Sequence, residues 1–385
     1  MAGPEAEPEG SDRLRPGENL FSRHFHVVRL ARVLLERGHD LVRCPAGLEA
    51  AFASNHQLVV RVDPVHTRRI CAPRRPRMGF RPRSPYLYFV GVLICDVGPR
   101  DGLQNEDRLL EPKLRAELCA RLAAAGLKRI EAASFVHPKL VPQMAGAEEV
   151  MGALQRRPGT TYAGLVLNER GYERALAARV DEVHYAFSAT DEFGRRNQNA
   201  LTEDGLQTGL ALVARARKDR MPITVTISVA FGCPFEGPVP AKRVLELVER
   251  LMAAPPDEVC LADTIGVGVP SQVKELIGGS RGLGAAVGAH FHNTRNTGYA
   301  NAVTALDEGA VSLDASVGGA GGCPFAPKAT GNIATEDLVY LLRGLGVDTG
   351  IDLDSLIECS RWLGEQLGKE LPGMVARAGD YPPTP

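Results

Sequence analysis

The chain has 385 residues, 44% hydrophobic and 24% charged, a composition suited to one large globular domain with an appendage. Its 45 basic and 46 acidic residues leave a formal net charge of -1, so no global field draws nucleic acid or an anionic membrane, and an anionic ligand must be held locally. Apolar runs such as Tyr86 to Cys95 fall far short of the roughly 20 residues that span a bilayer.

Eight cysteines at 44, 71, 95, 119, 233, 260, 323 and 359 form no Cys-x-x-Cys pair, so free thiols in a reducing compartment are expected. No apolar segment with a small-residue cleavage site follows Met1, which makes the cytoplasm the expected location.

Residues 1–88 are acidic and Pro/Gly-rich at first and end in an Arg/Pro-rich run, and they are expected to be a poorly ordered extension. A Leu/Val-rich patch from Val27 to Leu35 predicts one short helix there. The seven arginines at 68, 69, 74, 75, 77, 81 and 83 could bind an anionic partner or form a transit segment, but a solvated, proline-interrupted tail explains them more simply.

From residue 89, short β-branched or apolar runs alternate with amphipathic stretches of helical period. Strands are expected at Val90–Val97, Arg129–Ala133, Tyr162–Leu167, Glu182–Phe187, Ile223–Ala230, Glu258–Ala262, Ala286–His290 and Val311–Ala315. Between them Leu114, Leu118 and Leu122 mark one helix face, with Pro112 in its first turn and Gly126 at its left-handed cap. Val244, Leu247, Val248 and Leu251 mark another before the Pro255-Pro256 stop, and Leu338, Leu341 and Leu342 lie on one face of a helix from Thr335 to Arg343. Eight βα units predict an α/β fold, a (β/α)8 TIM barrel over residues 89–350. A doubly wound sheet would have fewer strands and a Gly-x-Gly-x-x-Gly first turn, which is absent. Residues 351–385 read as an extra C-terminal helical segment and tail outside the barrel.

In such a barrel the active site lies at the C-terminal ends of the strands. Those ends carry Arg100 and Asp101 after strand one, Glu131 on strand two, Asp263 after strand six, and His290 and His292 at the end of strand seven. Side chains two apart on a strand share a face, so both imidazoles can meet one metal ion. With a carboxylate such as Asp101 and an amide oxygen such as Asn332 they make a mixed N/O set suited to Mg²⁺ or Mn²⁺. Singly these residues have ordinary structural uses as caps, ion pairs or hydrogen-bonded histidines; their convergence on one face favours function. After strand eight, Gly318-Gly319-Ala320-Gly321-Gly322 would let a loop carrying Cys323 close over a ligand. Cys233, in Gly232-Cys233-Pro234 after strand five, reads equally well as a packed thiol.

At these residues the chain resembles the 3-hydroxy-3-methylglutaryl-CoA lyase family of TIM-barrel carbon-carbon lyases and Claisen synthases. The resemblance covers about Ile94 to Gly350 and is carried by GPRDGLQNE at 98–106, SFVHPKLVPQM at 134–144, GCPFEG at 232–237, DTIGVG at 263–268 and GGCPFAPKATGNIATEDLVYLLRGLG at 321–346. It implies Asp101, His290, His292 and Asn332 as metal ligands and Arg100 as the catalytic arginine. Glu131 and Gln104 become active-site polar residues, Cys323 the loop cysteine, and Asp263 and Glu336 acidic residues near the metal. Asp96 and the HFHNTRNTG string at 290–298 depart from the family's pattern without removing a ligand, and they suggest a distinct branch with its own acyl group.

The implied reaction is metal-assisted cleavage of a 3-hydroxy-acyl-CoA, foremost 3-hydroxy-3-methylglutaryl-CoA to acetyl-CoA and acetoacetate, with Asp101 or His290 as base, Arg100 stabilising the enolate and Cys323 returning a proton. The expected partner is an acyl-CoA thioester, and a homodimer is left open. Two rival readings remain: a synthase condensing acetyl-CoA with a 2-oxo acid, and an inactive barrel used for binding.

Overall fold

The computed structural model describes residues 91–322 and 331–382. The N-terminal extension, the Val27–Leu35 helix, the start of expected strand one and Cys323 lie outside the described residues.

Eight parallel strands close in sequence order into one barrel: β1 Leu93–Asp96, β2 Arg129–Ser134, β3 Thr161–Val166, β4 Glu182–Ser188, β5 Ile223–Ser228, β6 Glu258–Asp263, β7 Val287–Phe291 and β8 Ser312–Ala315. Closure is made by β1 against β8, from Leu93 opposite Ser312 to Asp96 opposite Ala315. Helices follow the strands: α1 Pro112–Ala124, α2 Ala147–Ala153, α3 Glu169–Ala177, α4 Asp191–Gln198, α5 Thr202–Asp219, α6 Ala241–Met252, α7 Pro270–Gly282, α8 Gly298–Asp307 and α9 Thr335–Gly344. Beyond the barrel come α10 Leu353–Leu367 and the single turn α11 Val375–Ala378. The TIM barrel and its extra C-terminal helices are thus as the sequence predicts.

The helix rules hold at atomic level. Pro112 opens α1, and beyond its end Gly126 takes φ +103°, where a Cβ would also lie 2.8 Å from the Gly350 carbonyl. Val244, Leu247, Val248 and Leu251 form the buried stripe of α6. Strand β5 is two residues shorter than expected, because Val229 turns to φ +52° and ends the extended backbone.

Inside the barrel the usual branched apolar layers give way to polar groups. Arg129 and Glu131 on β2, His184 on β4, Thr224 and Thr226 on β5, Glu258 on β6, His290 on β7 and Asp314 on β8 line one cavity of about 190 Å³. At its floor Arg129 pairs with Glu182 at 3.1 Å and Glu258 at 2.9 Å, and Ser312 donates to Glu258 at 2.5 Å. Gly288 makes room for this layer, since a Cβ there would fall 2.3 Å from Glu258 Oε1 and 2.4 Å from Ser312 Oγ.

The C-terminal segment is tied to the mouth of the barrel. Asp352 caps α10 by accepting from the Ser355 amide at 2.7 Å, and Gly368 ends that helix at φ +69°. Lys369 then pairs with the buried Glu106 at 2.6 Å, and the Gly373 amide donates to the Gly318 carbonyl at 2.9 Å.

The wide helical turn Gly98–Gly102, which carries Arg100 and Asp101, rests on the fully buried Asp96. Asp96 accepts from the Gly98 amide at 2.8 Å and from Thr335 Oγ1 at 2.6 Å. Burial pushes its carboxyl up to about 7, against the pull of those two donors. The folded value lies above the unfolded one near 4, so the unfolded chain releases this proton first and stability falls as pH rises between about 4 and 7. Asp96→Asn, whose Oδ1 can still accept from the Gly98 amide while its Nδ2 donates to Thr335 Oγ1, should remove that loss, worth roughly 4 kcal/mol at most. Melting curves should show the variant gaining several degrees on the wild type between pH 5 and pH 8, at about 2 to 4 °C per kcal/mol. A constant difference across that range would contradict this account.

Candidate active site

Three side chains converge at the C-terminal rim. Asp101, His290 and His292 each place one donor atom within 4.8 Å of the others. The turn after β1 delivers Asp101, whereas the period-two alternation of β7 puts both imidazoles on one face with ring centroids 5.2 Å apart. Asn332 stands beside His292 through an isolated antiparallel bridge, and its Nδ2 donates to Asp101 Oδ2 at 2.9 Å and to the Ala320 carbonyl at 3.1 Å. Its Oδ1 is buried and has no partner.

That orphaned oxygen, one carboxylate and two imidazoles form a donor set free of thiolate, which fits a hard or borderline divalent cation. The orientation of the rings supports the fit. His290 Nδ1 lies 3.2 Å from Asp314 Oδ2, which leaves Nε2 for the site and supplies the carboxylate partner that metal-ligating histidines commonly have. His292 approaches Asp101 through Nε2 at 3.9 Å.

The electrostatics follow from burial and charge. Burial raises the Asp101 carboxyl, but Arg100 and the two imidazoles outweigh it and hold the group at about 2. His292, desolvated and next to His290, falls to about 4, so its ring is neutral as a metal requires.

Arg100 stands next to this cluster between two carboxylates. Its NH1 donates to Asp101 Oδ1 at 2.7 Å and its Nε to Glu131 Oε2. Glu131 Oε1 is shared with His184 Nδ1 at 2.9 Å. Gln104 lines the same cavity, as do Asn105 and Gly322, which are joined by a 2.9 Å bond from Asn105 Nδ2 to the Gly322 carbonyl. Strand eight's glycine loop therefore reaches the site at Gly322, next in sequence to Cys323.

The structure gathers Arg100, Asp101, Gln104, Glu131, His290 and His292 around one cavity, with Asn332 bonded to Asp101. Asp263 and Glu336 lie outside the three-residue cluster. Asp263 accepts from the Val267 and Gly268 amides, both at 2.9 Å, and so closes the turn before α7. Glu336 accepts from the Gly318 amide at 2.9 Å and braces the glycine loop from below. Cys233 is a packed thiol that accepts from Thr190 Oγ1 at 3.2 Å. Sequence reasoning passed over Asp314 and His184. Both sit inside expected strands at even spacing from Ser312 and Glu182, His184 well before the end of its strand and Asp314 one residue before the end, and a search limited to the residues that close a strand or follow it does not reach them.

Fold and site together define a (β/α)8 barrel enzyme with a candidate divalent-metal centre at the strand ends. The sequence model of the HMGL-like family matches residues 91–363, and the chain belongs to that family of lyases. It is 47% identical over 304 residues to the (R)-citramalyl-CoA lyase of Chloroflexus aurantiacus, covering 76% of this chain and 96% of that protein. It is 40% identical to the 3-hydroxy-3-isohexenylglutaryl-CoA/hydroxymethylglutaryl-CoA lyase of Pseudomonas aeruginosa, over 74% of this chain and 96% of the relative. Among solved structures, the HMG-CoA lyase of Acinetobacter baumannii in complex with coenzyme A and 3-methylmalate superimposes with a TM-score of 0.72 at 37% identity, covering 76% of this chain and 98% of that one.

Proposed function

We propose that this chain is a divalent-metal-dependent lyase that cleaves the C2–C3 bond of a 3-hydroxy-3-methyl-acyl-CoA whose C3 also bears an acidic group. Citramalyl-CoA is placed ahead of hydroxymethylglutaryl-CoA. The first carries a carboxylate directly on C3, and the second carries a carboxymethyl group. The observation that carries the lyase reading is the Arg100 guanidinium held by Asp101 and Glu131 beside the Asp101, His290 and His292 cluster. The order of substrates rests on 47% identity to the citramalyl-CoA lyase against 40% to the P. aeruginosa enzyme. The bound 3-methylmalate of the A. baumannii structure, an isomer of citramalate, supports the compact diacid.

Asp101, His290, His292 and the Asn332 amide oxygen would hold Mg²⁺ or Mn²⁺. When bound, such a cation supplies Lewis acidity toward the substrate's hydroxyl and acid oxygens. Asp101 and His290 are the candidate bases for the hydroxyl proton, as members of the cluster that would hold the cation. As the C2–C3 bond breaks, its electron pair moves into the thioester as an enolate, and the hydroxyl carbon becomes the ketone of pyruvate or acetoacetate. Arg100 faces the growing negative charge on the thioester oxygen with a planar donor fork that lysine lacks. Cys323, which follows Gly322 at the cavity wall, returns a proton to C2 and completes acetyl-CoA.

The test is to give metal-depleted protein each thioester with and without Mg²⁺ or Mn²⁺ and to follow acetyl-CoA with pyruvate or acetoacetate. Metal-dependent pyruvate at a kcat/KM at least about tenfold above that for acetoacetate is the expected result. The reverse ratio would restore hydroxymethylglutaryl-CoA as substrate. Free CoA released from acetyl-CoA and a 2-oxo acid, without cleavage of either thioester, would replace the lyase by the synthase.

A further inference from the structure

His184 belongs to no ligand set described above, yet it sits inside the barrel at the cavity wall with its side chain 8% exposed. Its Nδ1 is hydrogen-bonded to Glu131 Oε1 at 2.9 Å, and its Nε2 stands 3.4 Å from Glu182 Oε1, at ion-pair distance without a hydrogen bond. Glu182 is itself anchored by Arg129 at 3.1 Å and by Thr224 Oγ1 at 2.8 Å. Glu131, 1% exposed, spends its other oxygen on Arg100. One carboxylate thus bridges the imidazole and the guanidinium, and both its oxygens are engaged.

We propose that His184 is a positioning residue for the cleavage reaction: as an imidazolium it fixes Glu131 in rotation and shares its charge, so that Arg100 keeps its aim and its positive field toward the thioester oxygen. The proposal rests on the lyase reading. Without His184, Arg100 would face Asp101 and an undivided Glu131, two carboxylates on one guanidinium, and its field would be quenched where an oxyanion must grow. Glu131 would also keep one buried oxygen unpaired, an arrangement that invites rotation away from Arg100. The neighbouring carboxylates support the charged ring, lifting the imidazole to about 10 against the opposing effect of burial.

The test is a double-mutant cycle of His184→Leu and Glu131→Gln in the full chain, with His184→Asn alongside. Asn can place its amide where Nδ1 stands and still donate to Glu131, but it carries no charge. His184→Leu is expected to lower kcat about 30-fold while KM stays within about threefold, because the field acts on charge that appears during bond breaking. His184→Asn should recover part of the loss. In the Glu131→Gln background His184→Leu should change kcat by less than about twofold, since the link it acts through is already cut. This double variant also removes the buried Glu131 charge that the single Leu variant would strand, so the pairing of Glu131→Gln with and without His184→Leu decides the matter even where the single variant does not fold. Multiplicative losses, or a loss confined to KM, would overturn the proposal with the wild type still active. A wild type that cleaves no hydroxyacyl-CoA would overturn the lyase reading and this one with it.

Discussion

Arg100→Met should lower kcat by about 10³-fold while KM changes by less than about fivefold, the pattern of a group whose partner charge exists only along the reaction path. The size corresponds to about 4 kcal/mol, the range found when one donor to a developing oxyanion is removed. Arg100→Lys should recover only a fraction. Its point charge cannot serve Glu131 and Asp101 together in the way that Nε and NH1 of the guanidinium do. Steady-state kinetics with the preferred thioester checks both variants. Turnover of Arg100→Met within tenfold of the wild type would remove Arg100 from the reaction.

His292→Ala should weaken Mn²⁺ binding by on the order of 10²-fold or more and abolish measurable turnover at micromolar metal. Binding is read by calorimetry on the apoprotein, so the result does not depend on activity. His292 is the cleaner probe of the two histidines, because its Nδ1 has no partner to strand, whereas His290 is bonded to Asp314. Asp314→Asn is the graded companion. Removing the charge behind His290 should cost about 10-fold to 100-fold in metal affinity, less than loss of a ligand. Equal Mn²⁺ affinity in wild type and His292→Ala would move the metal centre elsewhere.

The barrel was legible because its signals are local and repeated. Strand after strand ends in a turn residue, and helices such as α6 show their buried stripe directly in the spacing of Val244, Leu247, Val248 and Leu251. The rim of the site was legible for a related reason: Arg100, Asp101, His290 and His292 stand at strand ends, where barrels keep their reactive groups. The interior was harder to read. Glu182, His184 and Asp314 lie within strands whose alternation makes them inward-facing, but a charged residue at such a position is explained only by its partner on another strand. His184 meets Glu131 across 53 positions of chain, and Asp314 meets His290 across 24. Such pairings follow from the register of the closed sheet, and no local window contains them. The acyl group was hidden for a further reason: its size is set by a cavity that residues from all eight βα units enclose only in three dimensions.

The polar interior also bears on how this enzyme could change during evolution. In a barrel filled with branched side chains, a substitution in the central layers opens a void or a clash and is felt as lost stability. Here the buried apolar mass lies instead between strands and helices, in residues such as Leu118, Leu122, Val248 and Leu363, while the centre is a lattice of ion pairs around a chamber. The two jobs are therefore assigned to different shells. Apolar residues on the chamber wall that are only half-buried, such as Leu167 and Ala186, can be exchanged to admit a longer or shorter ligand with little effect on the packing that keeps the protein folded. On the proposed lyase reading, one scaffold can then serve a series of hydroxyacyl thioesters, provided that Gly288 stays without a side chain and the charged floor keeps its shape.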